Sequence, residues 1–169
     1  MFRFQKEQEI VNIAGTKIGG QPGELPTVLA GTIFYNNHKI VQDAAAGIFD
    51  EGAAEKLVNI QETNSDETGN PHLVHIFGTT AESISNYIDF IANITNAPFI
   101  VDSPEASVRM HAVEYVTDIG LADKAIYNSI NMSITNDEQE ALKRSDVDSS
   151  IILGFNAMNS SLDGRMALL

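Results

Sequence analysis

Pro98-Phe-Ile-Val-Asp102-Ser103, Lys124-Ala-Ile-Tyr-Asn128-Ser-Ile-Asn131 and Ser150-Ile-Ile-Leu-Gly-Phe-Asn156 are three similar pieces inside Ala97–Asn156. Each is a short apolar run that ends in Asp or Asn, and each follows a helix-like segment. That is the pattern of successive parallel strands buried on both faces, where polar residues appear only as the strand runs out. In α/β sheets and barrels the carboxyl ends of such strands form the ligand face. Asp102, Asn128 and Asn156 are therefore expected to converge on one site.

Upstream the same grammar repeats. Thr27-Val-Leu-Ala-Gly-Thr-Ile-Phe-Tyr35 and His72-Leu-Val-His-Ile-Phe-Gly78 read as two earlier strands. Between them Asp50 is placed as an N-cap, and Ala54, Leu57, Val58 and Gln61 form the stripe of a helix to about Ser65. Thr79-x-x-Glu82 reads as a capping box for a helix buried through Ile84, Tyr87, Ile88 and Ile91. Ser103-Pro104-Glu105 reads as an N-cap with proline at the first helical position. Thr135-x-x-Glu138 caps another short helix, and Phe4 to Ile18, around Ala14-Gly15-Thr16, reads as a small hairpin. The fold class is thus α/β: an N-terminal β-hairpin, then (βα) units of a TIM barrel. It is incomplete, with about five of the eight strands that such a barrel needs.

At 169 residues the length prior gives one domain, spanning 1–169. A formal charge of −13 repels phosphate backbones and anionic lipid. Nucleic acid and direct membrane insertion are accordingly not expected. There is no Cys, hence no disulfide, thiolate metal site or Cys nucleophile. The opening Met-Phe-Arg-Phe-Gln-Lys-Glu has no signal-peptide core, so the expectation is a cytoplasmic protein.

The strand tips suggest a chemistry. A carboxylate accepts two parallel hydrogen bonds, and an amide offers a donor and an acceptor. Asp102 and Asn128 together match a flat heterocycle with an amino-pyrimidinone edge. A Ser- or Asp-capped helix after a strand is also ordinary α/β grammar, and the repetition over three strands is what favours a site. His72 and His75 stand three apart in a strand, so they point to opposite faces and cannot share a metal. His111 reads as a solvated flank of its helix. His38, in the loop after the first long strand, is the histidine placed like a site residue. No metal-ligand spacing occurs, and no protein-bound metal is expected.

These residues carry a resemblance. Gly19-Gly-Gln-Pro-Gly-Glu24, Gly31-Thr-Ile-Phe-Tyr35, Gly47-Ile-Phe-Asp50, Thr68-Gly-Asn-Pro71, Ala125-Ile-Tyr-Asn-Ser-Ile-Asn131 and Phe155-Asn156 resemble the N-terminal half of the MtrH subunit of tetrahydromethanopterin S-methyltransferase, a family of methanogenic archaea. More distantly the chain is similar to pterin-binding TIM barrels. In those, an Asp-Ser at one strand end and an Asn-Ser-x-Asn at the next hold the pterin. The resemblance implies that Asp102, Ser103 and Asn128 bind the pterin of tetrahydromethanopterin, with Asn131 and Asn156 in the catalytic set and His38 as a loop contact.

It further implies methyl transfer from N5 of methyl-tetrahydromethanopterin to the Co(I) corrinoid (a cobalamin) of a partner subunit, at the edge of a membrane-embedded complex. Family members run for roughly as many residues again, so a truncated chain is expected, one that pairs as a homodimer through its open edge. Two other readings stand beside it. One is a pterin enzyme of the dihydropteroate synthase type, which the lack of a Gly-rich phosphate loop disfavours. The other is a catalytically inactive assembly subunit.

Overall fold

A computed structural model describes residues 2–167. The chain opens with a hairpin of β1 (Ile10–Ile13) and β2 (Thr16–Gly19). Its turn residues Ala14 and Gly15 both take positive φ, which fits the twist of a two-residue hairpin. Five parallel strands form the main sheet in the order of the chain: β3 (Leu29–Ile33), β6 (His72–Phe77), β7 (Phe99–Asp102), β8 (Ala125–Ile130) and β9 (Ser149–Ile152). Between β3 and β6 lies a second hairpin, β4 (Val41–Asp43) and β5 (Ile48–Phe49). The crossover helices are α1 (Glu51–Thr68), α2 (Ala81–Ile94), α3 (Ala106–Asp118) and α4 (Asn136–Arg144), and a short α5 (Leu162–Met166) follows.

Strand alternation divides the sheet into two faces. Ile33, Val74, Ile76, Phe99, Val101 and Ala125 point to the helices and pack with Ala54, Val58, Ile84, Ile88, Ile91, Val108, Ala112 and Val116. Tyr127, on the same side, packs with Val113 and Ala141. The opposite face carries Leu73, Ile100 and Ile126, and there the partner is the first hairpin, through Ile13 and Ile18, with Val28. A doubly wound sheet would reverse its strand order and place helices on both faces. Unreversed order with helices on one face is the barrel pattern, so the hairpin plugs the amino-terminal floor of a barrel-like inner face. Above that floor the inner face carries polar residues.

The structure corrects several local expectations. The capping box of α2 is formed by Thr80 and Ser83, one residue later than Thr79-x-x-Glu82. The reason is that Thr79 is engaged elsewhere, donating to the Ala44 carbonyl at 2.9 Å. Helix α3 begins at Ala106 rather than at Pro104, and Ser103 Oγ accepts from Glu105 N inside the preceding turn. His111 is not simply solvated: its Nε2 is 2.8 Å from Ser85 Oγ and ties α3 to α2. β9 is not buried on both faces, because it is the sheet's edge, and Ile151, Ile152 and Leu153 are exposed.

Candidate functional site

The register β7–β8 places Asp102 directly opposite Asn128. Both follow Ile100 and Ile126 by two residues, so alternation turns them to the inner face, one layer above the hydrophobic floor. Phe77 pairs with Asp102 from the other side and adds an aromatic at the same height. Asp102 and Asn128 are half-buried. Among the described residues, Asp102 Oδ1 and the Asn128 amide have no hydrogen-bond partner, so acceptor and amide edges stand free side by side.

Asp102 is not left to itself. Its Oδ2 lies 3.0 Å from His75 Nε2. The other ring nitrogen of His75, Nδ1, is 2.9 Å from Thr32 Oγ1. Thr32 and His75 are register partners on β3 and β6, and Asp102 sits two residues beyond Ile100, the partner of His75 on β7. A hydrogen-bonded row therefore crosses three strands on the inner face. This row was not foreseen from the sequence. The signal was present as the parity of His75 with Leu73, but it acquires meaning only once the register brings that parity beside Asp102.

Ser103, 2% exposed, leads out of the site. Its carbonyl accepts from Arg109 Nη1 at 2.6 Å. Arg109 Nε and Nη2 donate to Glu138 Oε1 at 3.0 and 2.5 Å, and Tyr127 Oη donates to the same oxygen at 2.7 Å. The second Glu138 oxygen, Oε2, accepts from Thr135 N. Burial opposes the charge of Glu138, but the hydrogen bonds from Tyr127, Thr135 and Arg109 outweigh it and hold its pKa below the usual carboxylate value. Burial and the bond to Glu138 push Tyr127 up to about 12. This cluster sits behind the site, on the helix side, and fixes the turn that carries Asp102 and Ser103.

The remaining expected residues are placed differently. Asn131 is in the loop after β8, where its Oδ1 accepts from Ser133 N and Oγ at 2.8 and 2.6 Å, and its Nδ2 donates to Ser129 O at 3.2 Å. Asn156 lies beyond β9, not at its tip; the tip residue opposite Asn128 is Ile151. Its Nδ2 donates to Gly164 O, and its Oδ1 accepts from Met158 N and Asn159 N. Asn156 thus organises its own loop and makes no hydrogen bond to Asp102 or Asn128.

His38 stacks on Tyr35 at 4.5 Å, and its Nδ1 accepts from Phe34 N at 3.3 Å. Burial lowers its pKa. It lines an apolar groove with Ile40, Leu57 and Ile60, against α1 on the outer side. The structure brings together Asp102, Ser103 and Asn128, and sets His38 apart from them. Among the described residues no cluster of three His, Cys, Asp or Glu has metal-binding geometry. No helix among them is long and apolar enough to cross a membrane.

Comparison with known proteins agrees with this picture. The family described as Tetrahydromethanopterin S-methyltransferase MtrH subunit matches residues 6–169. A Methanosarcina mazei protein, provisionally named as the H subunit of a methyltransferase mtx, is 72% identical over all of this chain and 54% of its own length. Its Methanosarcina barkeri counterpart is 73% identical with the same coverage. The H subunit of tetrahydromethanopterin S-methyltransferase from Methanothermobacter marburgensis is 53% identical over 99% of this chain and 54% of that protein. The chain spans about half the length of the curated relatives it matches.

Proposed function

The chain belongs to the MtrH subunit family of tetrahydromethanopterin S-methyltransferase, and on that footing we propose that its inner strand tips bind the pterin of a methyl-tetrahydropterin for transfer of the N5-methyl group to a corrinoid on a partner subunit. One observation carries the reading: the facing pair Asp102 and Asn128, at the carboxyl ends of adjacent parallel strands, with free acceptor and amide edges. The donor set fits the ring. Asp102 accepts the ring amino group and ring N–H, and Asn128 meets the carbonyl beside them. The two Asp102 oxygens have lone pairs enough to serve His75 and the ligand together.

The corrinoid, as cobalt(I), would supply the nucleophile, so the chain needs no nucleophile of its own. The chain's residues bind and orient. Asp102 and Asn128 fix the ring plane, and that plane sets where N5 lies; placing a reactant in line accounts for a large share of such a barrier. A tertiary amine leaves poorly unless it is protonated or hydrogen-bonded. Asn131 is the candidate nearest the Asn128 tip for contact at N5, after release from its turn with Ser133. Asn156 belongs in that role only if its loop rearranges, since its amide is spent on Gly164, Met158 and Asn159.

The more similar relatives carry a methyltransferase name that specifies no pterin, which keeps the methyl donor within the proposal. The test is calorimetric titration of the full-length protein with tetrahydromethanopterin. Asp102→Ala removes charge-assisted hydrogen bonds worth about 2–4 kcal/mol, so Kd is expected to rise about 30- to 1,000-fold. Unchanged binding by the variant would overturn the proposal. A full-length protein that binds no pterin would favour the reading as an assembly subunit.

A further inference from the structure

We infer that His75, with its tautomer set by Thr32, is the positioning residue that fixes the plane of the Asp102 carboxylate for its ligand; this rests on the pterin reading above. A carboxylate turns easily about its last side-chain bond, where the preference is broad and twofold. A flat ring edge accepts two parallel hydrogen bonds only from a carboxylate held coplanar with it. Something must therefore fix that plane, and His75 Nε2, 3.0 Å from Oδ2, is the side chain that touches it.

The direction of the row follows from the chemistry of its members. A threonine hydroxyl 2.9 Å from Nδ1 has a bare ring nitrogen to donate to when the imidazole is neutral. The imidazole proton is then on Nε2, where it donates to Asp102 Oδ2. The chain of bonds reads Thr32 O–H to Nδ1, then Nε2–H to Oδ2, leaving Oδ1 outermost. A neutral donor holds the carboxylate and leaves its charge intact, whereas a lysine or arginine in that place would cancel it.

The pair is only partly withdrawn from solvent, with side chains 19% and 23% exposed. The row also joins the edge strand β3 to the site on β7, so the edge of the sheet contributes to the ligand's seat. A purely structural cross-strand pair would alter stability and leave ligand affinity alone.

The experiment measures tetrahydromethanopterin binding to the full-length protein, with nitrogen-15 spectra of the His75 ring. His75→Ala is expected to weaken binding about 10- to 100-fold, the range for a hydrogen bond to a charged group. His75→Gln, which keeps an N–H donor, is expected to recover most of that loss. In wild type the ring nitrogens should report the Nε2–H tautomer. Thr32→Val, a near-isosteric change at an exposed position, should release that preference and weaken binding about threefold, an outcome that does not depend on the folding of His75→Ala.

Loss of binding in Asp102→Ala with wild-type affinity in His75→Ala overturns this inference while sparing the pterin site. An Nδ1–H tautomer in wild type overturns it as well. Wild-type affinity in Asp102→Ala overturns the pterin site itself, and the role of His75 with it.

Discussion

A single buried carboxylate, Glu138, carries much of what holds the strand tip in place. It is 1% exposed and accepts from Arg109, Tyr127 and Thr135, while Arg109 in turn grips the carbonyl of Ser103. Removing one partner of a buried ion pair leaves an uncompensated charge, which costs about 3–5 kcal/mol. Glu138→Gln is therefore expected to lower the unfolding free energy by about 3 kcal/mol, measured by urea denaturation at neutral pH.

The sign with pH follows from the lowered pKa. A carboxylate depressed in the fold contributes stability that is present above its unfolded value near 4.3 and is lost as pH falls through the folded value. Wild type should lose stability below that pH more steeply than Glu138→Gln. Equal slopes would remove Glu138 from this role. Asp102 and Asn128 could be read in the sequence because a polar residue at the end of an apolar run is conspicuous. Arg109 and His75 could not, since each looks like an ordinary solvated residue until register and helix packing assign it a neighbour. Asn156 shows the opposite failure: its position after an apolar run was conspicuous, but the strand ends earlier and the asparagine serves a loop.

Among the elements, the five main strands and the helices between them were legible from periodicity, and so were the first hairpin and the caps Asp50 and Thr135. The β4–β5 hairpin was not, because strands of three and two residues are too short to show alternation. It is held by contacts to α2 rather than by its own pattern: Thr79 and Thr80 hydroxyls donate to Ala44 O and Ala45 O, and Asn86 Nδ2 donates to Ala46 O. Gly47 closes that turn at φ +66, and a Cβ there would come within 2.7 Å of Ser83 Cα. Both the left-handed backbone and the clash act against a side chain. Gly47→Ala is expected to cost about 1–3 kcal/mol, seen as a lower urea midpoint with an unchanged slope. A neutral substitution would mean that the hairpin does not dock on α2 as described.

For the molecule as a whole, strand order and helix placement explain why a site can form where it does. The floor of the inner face is closed by the first hairpin, and the polar row above it is left open. Both sheet edges are apolar: Leu29 is 55% exposed on β3, and Ile152 is 56% exposed on β9. An uncovered apolar edge invites strand pairing. The 169-residue chain by itself is expected to self-associate, with a sedimentation coefficient that rises with concentration. A monomer across the micromolar range would show that these edges are inert.

The most direct measurement of pterin binding at these strand tips is a crystal structure of the full-length protein with tetrahydromethanopterin bound. The amino-pyrimidinone edge is expected within about 2.7–3.2 Å of Asp102 and Asn128, with the His75–Asp102 contact intact. A pterin ring held elsewhere, such as in the outer groove beside His38 and α1, would contradict it.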